Sequence, residues 1–465
     1  MLSIHKESQI PLYEQIYLAI KKQIETGSIR SGEKIPSKRK MAEYHNVSQI
    51  TVQNAYAQLV AEGYIYAVPK SGYFVEQIEP LENETTAKET PVPVTRSYAK
   101  HYEYDMGTNA VDTNSFPFST WAKIARQVLT KNNMDILNAS HPQGLYELRK
   151  EISVYLRQYR GVHTRPEQIV LGSGYEYLLV ILIQLLGRDS VYAIEDPGYH
   201  KIYRILMDNH LAVRLIGLDD QGLSISMLRA DDANIVQVSP SHQFPTGIVM
   251  PASRRSALLS WANECGDRYI IESDYDSEFR FSTNPLPACQ SLYGNEKVIY
   301  MNTFSKSLAP SLRMSYMVLP PALLELYIKK FMYYACTVPN FEQYIMCEFF
   351  KGGYFERHLH RMSKIYKKKR DILIQEMIQS PLGPKIEFIS HESGLHLLMK
   401  IKNGKSEKEL VFDAEKAGIR LYGISSFFHS NECNNDYGTI VVGYTGLSQS
   451  ALIEAAQRLI MAWDR

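Results

Sequence analysis

Apolar residues recur every four positions at Leu12, Ile16, Ile20 and Ile24. That is the spacing of one helix face, so residues 11–26 predict an amphipathic helix, which Gly27 stops. Pro36 and Ser37 open a second helix, with Ser37 as its N-cap, running to about Tyr44. A short turn at His45 and Asn46 leads to Ser48. Ser48 caps a third helix that carries Val52, Ala55 and Leu59 on its inner face and is closed by Gly63. Two short runs, 64–68 and 73–75, flank Pro69-Lys-Ser-Gly72 and predict a hairpin.

Helix, helix, turn, helix and hairpin in that order is the winged helix-turn-helix plan. In that plan the third helix offers its N-terminal end to a major groove. Ser48, Gln49, Thr51 and Gln53 are then placed for bases or phosphates. Ser37, Lys38, Arg39 and Lys40 at the second helix start, and Lys70 at the wing tip, are placed for phosphates. Residues 1–78 carry nine Lys and Arg against seven Asp and Glu. A net +2 supports DNA weakly; the arrangement supports it better. The competing reading is a small helical protein-binding domain.

Periodicity is lost over residues 79–104, which are rich in Glu, Thr, Pro and Lys and poor in aliphatics. Such a stretch cannot bury enough apolar surface to order itself, and is expected to be a flexible linker. From 105 to 465 short apolar runs alternate with helical stretches, at 169–171, 191–194, 212–216, 235–238, 269–271, 298–301 and 314–318. This predicts an α/β domain with a mostly parallel sheet covered on both faces. Beyond about 329 come a helix at 354–369, strand-like residues around 393–396, a strand at 441–444 and a closing helix at 450–463. They suit a smaller subdomain.

Ligands gather at the carboxyl ends of such strands, and the polar residues collect there. They are Gly172-Ser-Gly-Tyr-Glu176, Glu195-Asp-Pro-Gly-Tyr-His200, Ser239-Pro-Ser-His-Gln-Phe-Pro-Thr-Gly247 and Glu272-Ser-Asp-Tyr-Asp276. The last is Thr303-Phe-Ser-Lys306, with Arg313 seven residues on. A lysine desolvated at a strand end suits Schiff-base chemistry. Hydroxyls and an arginine beside it suit a phosphate. Together these are the needs of pyridoxal phosphate.

Composition narrows the class. The chain is 45% hydrophobic and 22% charged, with a net charge of +1, so the whole molecule presents no basic field. Five cysteines without short paired spacing argue against a disulfide framework or a zinc site, and no metal is expected. No apolar run is long enough for a membrane span, and a cytoplasmic protein is expected.

The residues at 11–17, 32–39 and 47–56, with Leu59-Val-Ala-Glu-Gly-Tyr64 and Ser71-Gly-Tyr-Phe-Val75, resemble the GntR family of bacterial regulators. That family often has arginine where Gln49 stands and arginine or glutamate at Lys38, so no operator carries over. The strand-end motifs, with Pro142-Gln-Gly-Leu-Tyr-Glu-Leu-Arg149, resemble class I aminotransferases of fold type I. A GntR-type head on such a domain resembles the MocR subfamily. The resemblance implies a homodimer that binds operator DNA and pyridoxal 5'-phosphate and responds to a small amino compound.

It further implies roles. Lys306 is the Schiff-base lysine, Tyr275 donates to the phenolic oxygen, and Tyr199 stacks on the ring. Gly174 and Tyr175 give N–H groups to the phosphate, helped by Thr303, Ser305 and Arg313. Two departures follow from the same alignment. Where the family has an aspartate facing the pyridine nitrogen, this chain reads Glu272-Ser273-Asp274-Tyr275. Strand alternation favours Ser273 and a twisted strand end Asp274, and the sequence leaves both open. Phe244 stands near where working aminotransferases place an asparagine. On the effector side, Lys201 and Ser426 stand where gamma-aminobutyrate responders have arginines, so Lys201 is the candidate effector contact and the effector is expected to be another compound. The leading reading is a sensor that exchanges the aldimine at Lys306. The alternatives are a working aminotransferase with a DNA-binding head, and a regulator sensing pyridoxal phosphate itself.

Overall fold

Ser37 and Ser48 have the backbone and the hydrogen bonds of N-caps. Ser37 Oγ accepts the Lys40 N–H at 3.3 Å and Ser48 Oγ accepts the Thr51 N–H at 3.1 Å. They open helices Lys38–His45 and Gln49–Ala61, which follow helix Leu12–Glu25. The computed structural model describes residues 8–78, 102–108, 110–130, 134–281, 286–292, 296–430 and 438–464. It divides into two units, 1–99 and 100–465. Most of the expected linker lies outside the described residues.

The first unit has its own core. Ile16, Ile20 and Ile24 meet Val52, Ala55, Tyr56 and Leu59, with Ile35, Ile65 and Val75 closing one side. The hairpin Ile65–Val68 and Gly72–Val75 gains a third strand, Lys34–Ile35, which pairs antiparallel with Gly72–Val75. Two residues are too few to show a period, so sequence reading does not reveal that strand. Ser37, Arg39, Lys40, Ser48, Gln49, Gln53 and Lys70 are exposed, and Lys38 and Thr51 are half-buried. Arg39 pairs with Glu43 at 2.9 Å, and the Lys38 ammonium lies 5.8 Å from the centre of the Tyr73 ring.

In the second unit eight strands form one sheet. Across it run Ile169–Gly172, Ser315–Val318, Val298–Thr303, Tyr269–Asp274, Ile235–Val238, Val191–Asp196, Ala212–Asp219 and Gly222–Leu223. Neighbours are parallel from Val298–Thr303 through Ala212–Asp219. Ser315–Val318 is antiparallel to both its neighbours, and Gly222–Leu223 to its one. Both faces are covered, as the continuous apolar runs require. Ile299 and Met301 pack with Leu178 and Leu182 of helix Tyr175–Leu186 on one side. Val298 packs with Leu258 and Trp261, and Tyr300 with Ile152 and Leu156, on the other.

A second sheet, antiparallel throughout, has the order Ile386–Ile389, His396–Ile401, Thr439–Gly443, Tyr422–Gly423. Helix Tyr354–Ile378 runs well past the expected end at 369. Its basic residues over 364–370 are not all exposed. Lys369 is buried, pairs with Asp112 at 2.9 Å and donates to the Thr445 carbonyl at 2.8 Å. The unit also begins before residue 105. Tyr104–Asp105 pairs parallel with Ile419–Arg420, and the N–H groups of Glu103 and Tyr104 reach the Gly418 carbonyl. The expected linker boundary at 104 therefore moves back to about 102. Among the described residues no helix is long and apolar enough to cross a membrane.

Candidate cofactor-binding site

A cavity of about 270 Å³ opens at the carboxyl ends of the parallel strands. Into it project Lys306, Thr303, Ser305 and Arg313 from the end of Val298–Thr303 and the loop beyond, Ser273 and Tyr275 from Tyr269–Asp274 and its end, and Tyr199 and Lys201 from the start of helix His200–Asp208. Tyr175 comes from a helix start. Thus Lys306, Tyr175, Tyr199, Ser273, Tyr275, Thr303, Ser305, Arg313 and Lys201 are brought together around one cavity. The nucleic-acid candidates belong to the other unit.

The Lys306 amine is desolvated. Burial lowers its pKa from 10.5 to about 8, with Asp276 opposing and Lys201 adding to the shift. Its Nζ donates to the Thr108 carbonyl at 2.6 Å. At neutral pH the nucleophilic, uncharged fraction is then about 300-fold larger than for an ordinary lysine. Because the folded pKa lies below the usual one, the amine is charged below about pH 8 and neutral above it. Uptake of an added aldehyde should therefore accelerate as pH rises through about 8 and level off, not climb on toward 10.5. Stopped-flow absorption against pH would show a midpoint near the lysine's ordinary pKa if the desolvation were absent.

The phosphate candidates gather at two helix starts. Thr303 caps the short helix Phe304–Ser307, its Oγ1 accepting the Ser305 N–H at 3.2 Å and donating to Ser305 Oγ at 2.9 Å. Arg313 reaches the start of helix Tyr175–Leu186, where its Nη2 donates to the Ser173 carbonyl at 3.2 Å and to Glu176 Oε2 at 3.0 Å. Gly174 does not line the cavity. It lies under the guanidinium, with φ +110° and only 2.3 Å from the site of an added Cβ to Arg313 Nη2. Gly174→Ala should displace Arg313 and weaken binding of a phosphorylated ligand about tenfold or more, the worth of a charge-assisted hydrogen bond. A titration giving the wild-type affinity would remove Arg313 from that role.

Ser273 and Asp274 point to opposite faces of their strand. Ser273 Oγ lies 2.5 Å from Tyr175 Oη and accepts from Gln237 Nε2 at 2.9 Å. Asp274 is turned away from the cavity, which corrects its candidacy as a cofactor contact. Its Oδ2 accepts from Arg160 Nε at 2.8 Å and from Tyr300 Oη at 2.6 Å. The pleat of a regular strand, not a twist at its end, sets the outcome. Glu272 shares the Asp274 face and accepts the N–H groups of Cys289 and Gln290.

Tyr275 Oη is 3.2 Å from His242 Nδ1, which is 2.9 Å from Asp276 Oδ2. Burial holds the Tyr275 hydroxyl well above the usual tyrosine range, with Asp276 adding to it. His242, Asp276 and His396 offer ligand atoms within 4.8 Å of one another, a set that could hold a divalent ion. Asp276 Oδ2 is, however, already engaged by His242 and by the Leu395 N–H at 3.1 Å. Burial, with His242 next, lowers His396 to about 3, so it is neutral.

Tyr199 and Phe244 meet edge to face at 5.5 Å and form the apolar wall. Lys201 is 3.4 Å from Glu176 Oε1, so one carboxylate holds both Lys201 and Arg313. Ser426 donates to the Gly423 carbonyl and does not line the cavity. Sequence reading missed Thr108, Gln237 and His396. No local motif marks them, because each meets its partner only through the fold.

The comparisons agree with this geometry. Residues 12–75 match the gntR family of bacterial regulatory proteins, and residues 104–427 match aminotransferase class I and II. An uncharacterized HTH-type transcriptional regulator of Bacillus subtilis, YdeL, is 38% identical over 461 residues, covering 99% of this chain and 98% of its own. The probable rhizopine catabolism regulatory protein MocR of Rhizobium meliloti is 28% identical over 481 residues, covering 100% and 96%. The chain belongs to the MocR subfamily of GntR-type transcriptional regulators. The MocR-type architecture extends to the fold. A crystal structure of an archaeal alanine:glyoxylate aminotransferase superposes with a TM-score of 0.70 at 21% identity, over 79% of this chain and 91% of that one. Solved neighbours of the MocR-type large domain are thus aminotransferases of the pyridoxal-phosphate-dependent fold.

Proposed function

We propose that this MocR-type regulator holds pyridoxal 5'-phosphate on Lys306 and uses it to sense a small amino compound, acting as a homodimer on operator DNA. The observation that carries the reading is the half-buried Lys306, whose amine lines the cavity with its pKa lowered by desolvation to about 8. The cofactor, when bound, supplies an aldehyde that combines reversibly with amines. The chain's own residues fit it. Arg313, Thr303 and Ser305 offer donors to a phosphate, Tyr199 offers a flat face to a ring, and Tyr275 offers a protonated hydroxyl. Lys201, exposed at the mouth, can hold a carboxylate as a point charge.

Thr108 holds the amine of Lys306 until it is used. An amino compound that takes the place of Lys306 alters the contacts inside the large domain. That difference biases the pair of DNA-binding heads on their half-sites. Exposed Gln49 and Gln53, with Ser48 and Thr51, then read or hold the operator, while Ser37, Lys38, Arg39, Lys40 and Lys70 hold phosphates.

The test is visible absorption of the full-length protein with added cofactor, challenged in turn with a panel of amino compounds. A lysine-linked band that one compound shifts reversibly, with no keto acid released, supports the proposal and names the effector. Release of a keto acid makes the chain a working aminotransferase. No lysine-linked band with saturating cofactor overturns the proposal.

A further inference from the structure

The floor of the cavity at Ser273 carries no negative charge, and its protons can be counted. Ser273 Oγ accepts one hydrogen bond from Gln237 Nε2 and shares a second with Tyr175 Oη. Each of the two hydroxyls brings one proton. One proton lies in the bond between them. Whichever hydroxyl gives it, the other O–H is left over, and both side chains line the cavity. Burial raises the Tyr175 pKa, so that proton stays in place. The pair therefore always offers the cavity a neutral donor.

Among the described residues no carboxylate competes for this position. Asp274, next in sequence, points the other way into Arg160. Among the described residues Glu176 is the one carboxylate that lines the cavity, and it is held by Arg313 and Lys201. Ser273 also stands two residues before Tyr275 on the same strand face, where the aminotransferase resemblance expects an aspartate.

We infer that Tyr175 and Ser273 donate a hydrogen bond to the ring nitrogen of the bound cofactor and so keep that nitrogen unprotonated. The inference rests on the cofactor reading above. A nitrogen that accepts a hydrogen bond must keep its lone pair; a protonated one would sit beside neutral hydroxyls with no anion among the described lining residues to offset its charge. An uncharged ring draws electrons weakly from the carbon of a bound amino compound. Loss of a proton from that carbon is then slow, and the compound is held without being consumed. Gln237, buried on the neighbouring strand, acts as a positioning residue, because its amide fills one lone pair of Ser273 and turns the serine proton elsewhere.

The test loads the full-length protein with pyridoxal phosphate labelled with nitrogen-15 in the ring and records the nitrogen resonance. The expected signal sits at the neutral-pyridine position and does not move across the range in which free pyridine titrates. A protonated-ring position, with the lysine-linked band present, overturns the inference and leaves the cofactor reading standing. Absence of both bound label and band overturns both. Ser273→Asp should move the resonance to the protonated position and speed conversion of a bound amino compound to its keto acid by about tenfold or more. A loaded Ser273→Asp protein with an unmoved resonance removes Ser273 as the partner. Should that variant fail to fold, the wild-type resonance decides alone.

Discussion

Lys306→Ala is expected to abolish the lysine-linked absorption band and every response to an amino compound, while DNA binding persists. The variant loses the amine whose pKa burial in the cavity lowers to about 8. Alanine leaves the Thr108 carbonyl without its donor but creates no buried charge. Arg313, Thr303 and Ser305 are intact, so the cofactor should still bind reversibly through its phosphate. The head keeps a hydrophobic core of its own, built from Ile16, Ile20, Val52 and Leu59. Retention of DNA is measured on fragments that the wild-type protein selects from a random pool. A folded Lys306→Ala protein that no longer retains those fragments would contradict the division of labour between the two units. One that still forms a stable lysine-linked band would move the chemistry to another lysine.

Arg160→Ala should give the largest loss of stability, about 3–5 kcal/mol, because it leaves an unpaired buried charge. Arg160 and Asp274 are 1% and 2% exposed, with 2.8 Å between them. Arg160 also donates to Ser241 Oγ at 2.6 Å and to the Leu286 carbonyl. Removing the guanidinium therefore takes a donor from three acceptors at once. Tyr300 would remain as the one donor to Asp274. Denaturant unfolding of the large domain, followed by fluorescence, measures the effect. Arg214→Ala, which breaks an exposed pair with Asp232, should leave the midpoint where it is. Equal midpoints for Arg160→Ala and the wild-type protein would mean that water reaches the pair and screens it.

The aspartate in that pair shows how far reading along the chain extends. The alternation of a strand already favours Ser273 as the cavity residue. What settles it is Arg160, more than a hundred residues earlier, which gives Asp274 a place on the other face. Lys201 is similar. Its charge and its place after Tyr199 are local facts, but its pairing with Glu176, and through Glu176 its link to Arg313, depend on three separate strand ends meeting. The wing is a third example. Its hairpin is evident from turn residues and apolar runs, whereas Lys34–Ile35 becomes a strand only because the hairpin offers it an edge.

The sequence by itself determined the elements and their chemistry. Helical and strand periods, serine caps and glycine stops placed the head, the sheet and the strand-end residues, because those signals act over a few residues of one chain segment. Tertiary structure alone decided which polar groups share a proton. Thr108 meets Lys306 across 198 residues and Tyr175 meets Ser273 across 98. Such contacts follow from how the strands are ordered in the sheet and how the helices cover it. No spacing along the chain encodes that order, yet it sets the burial that lowers the Lys306 pKa and the donor that Ser273 and Tyr175 offer the cavity.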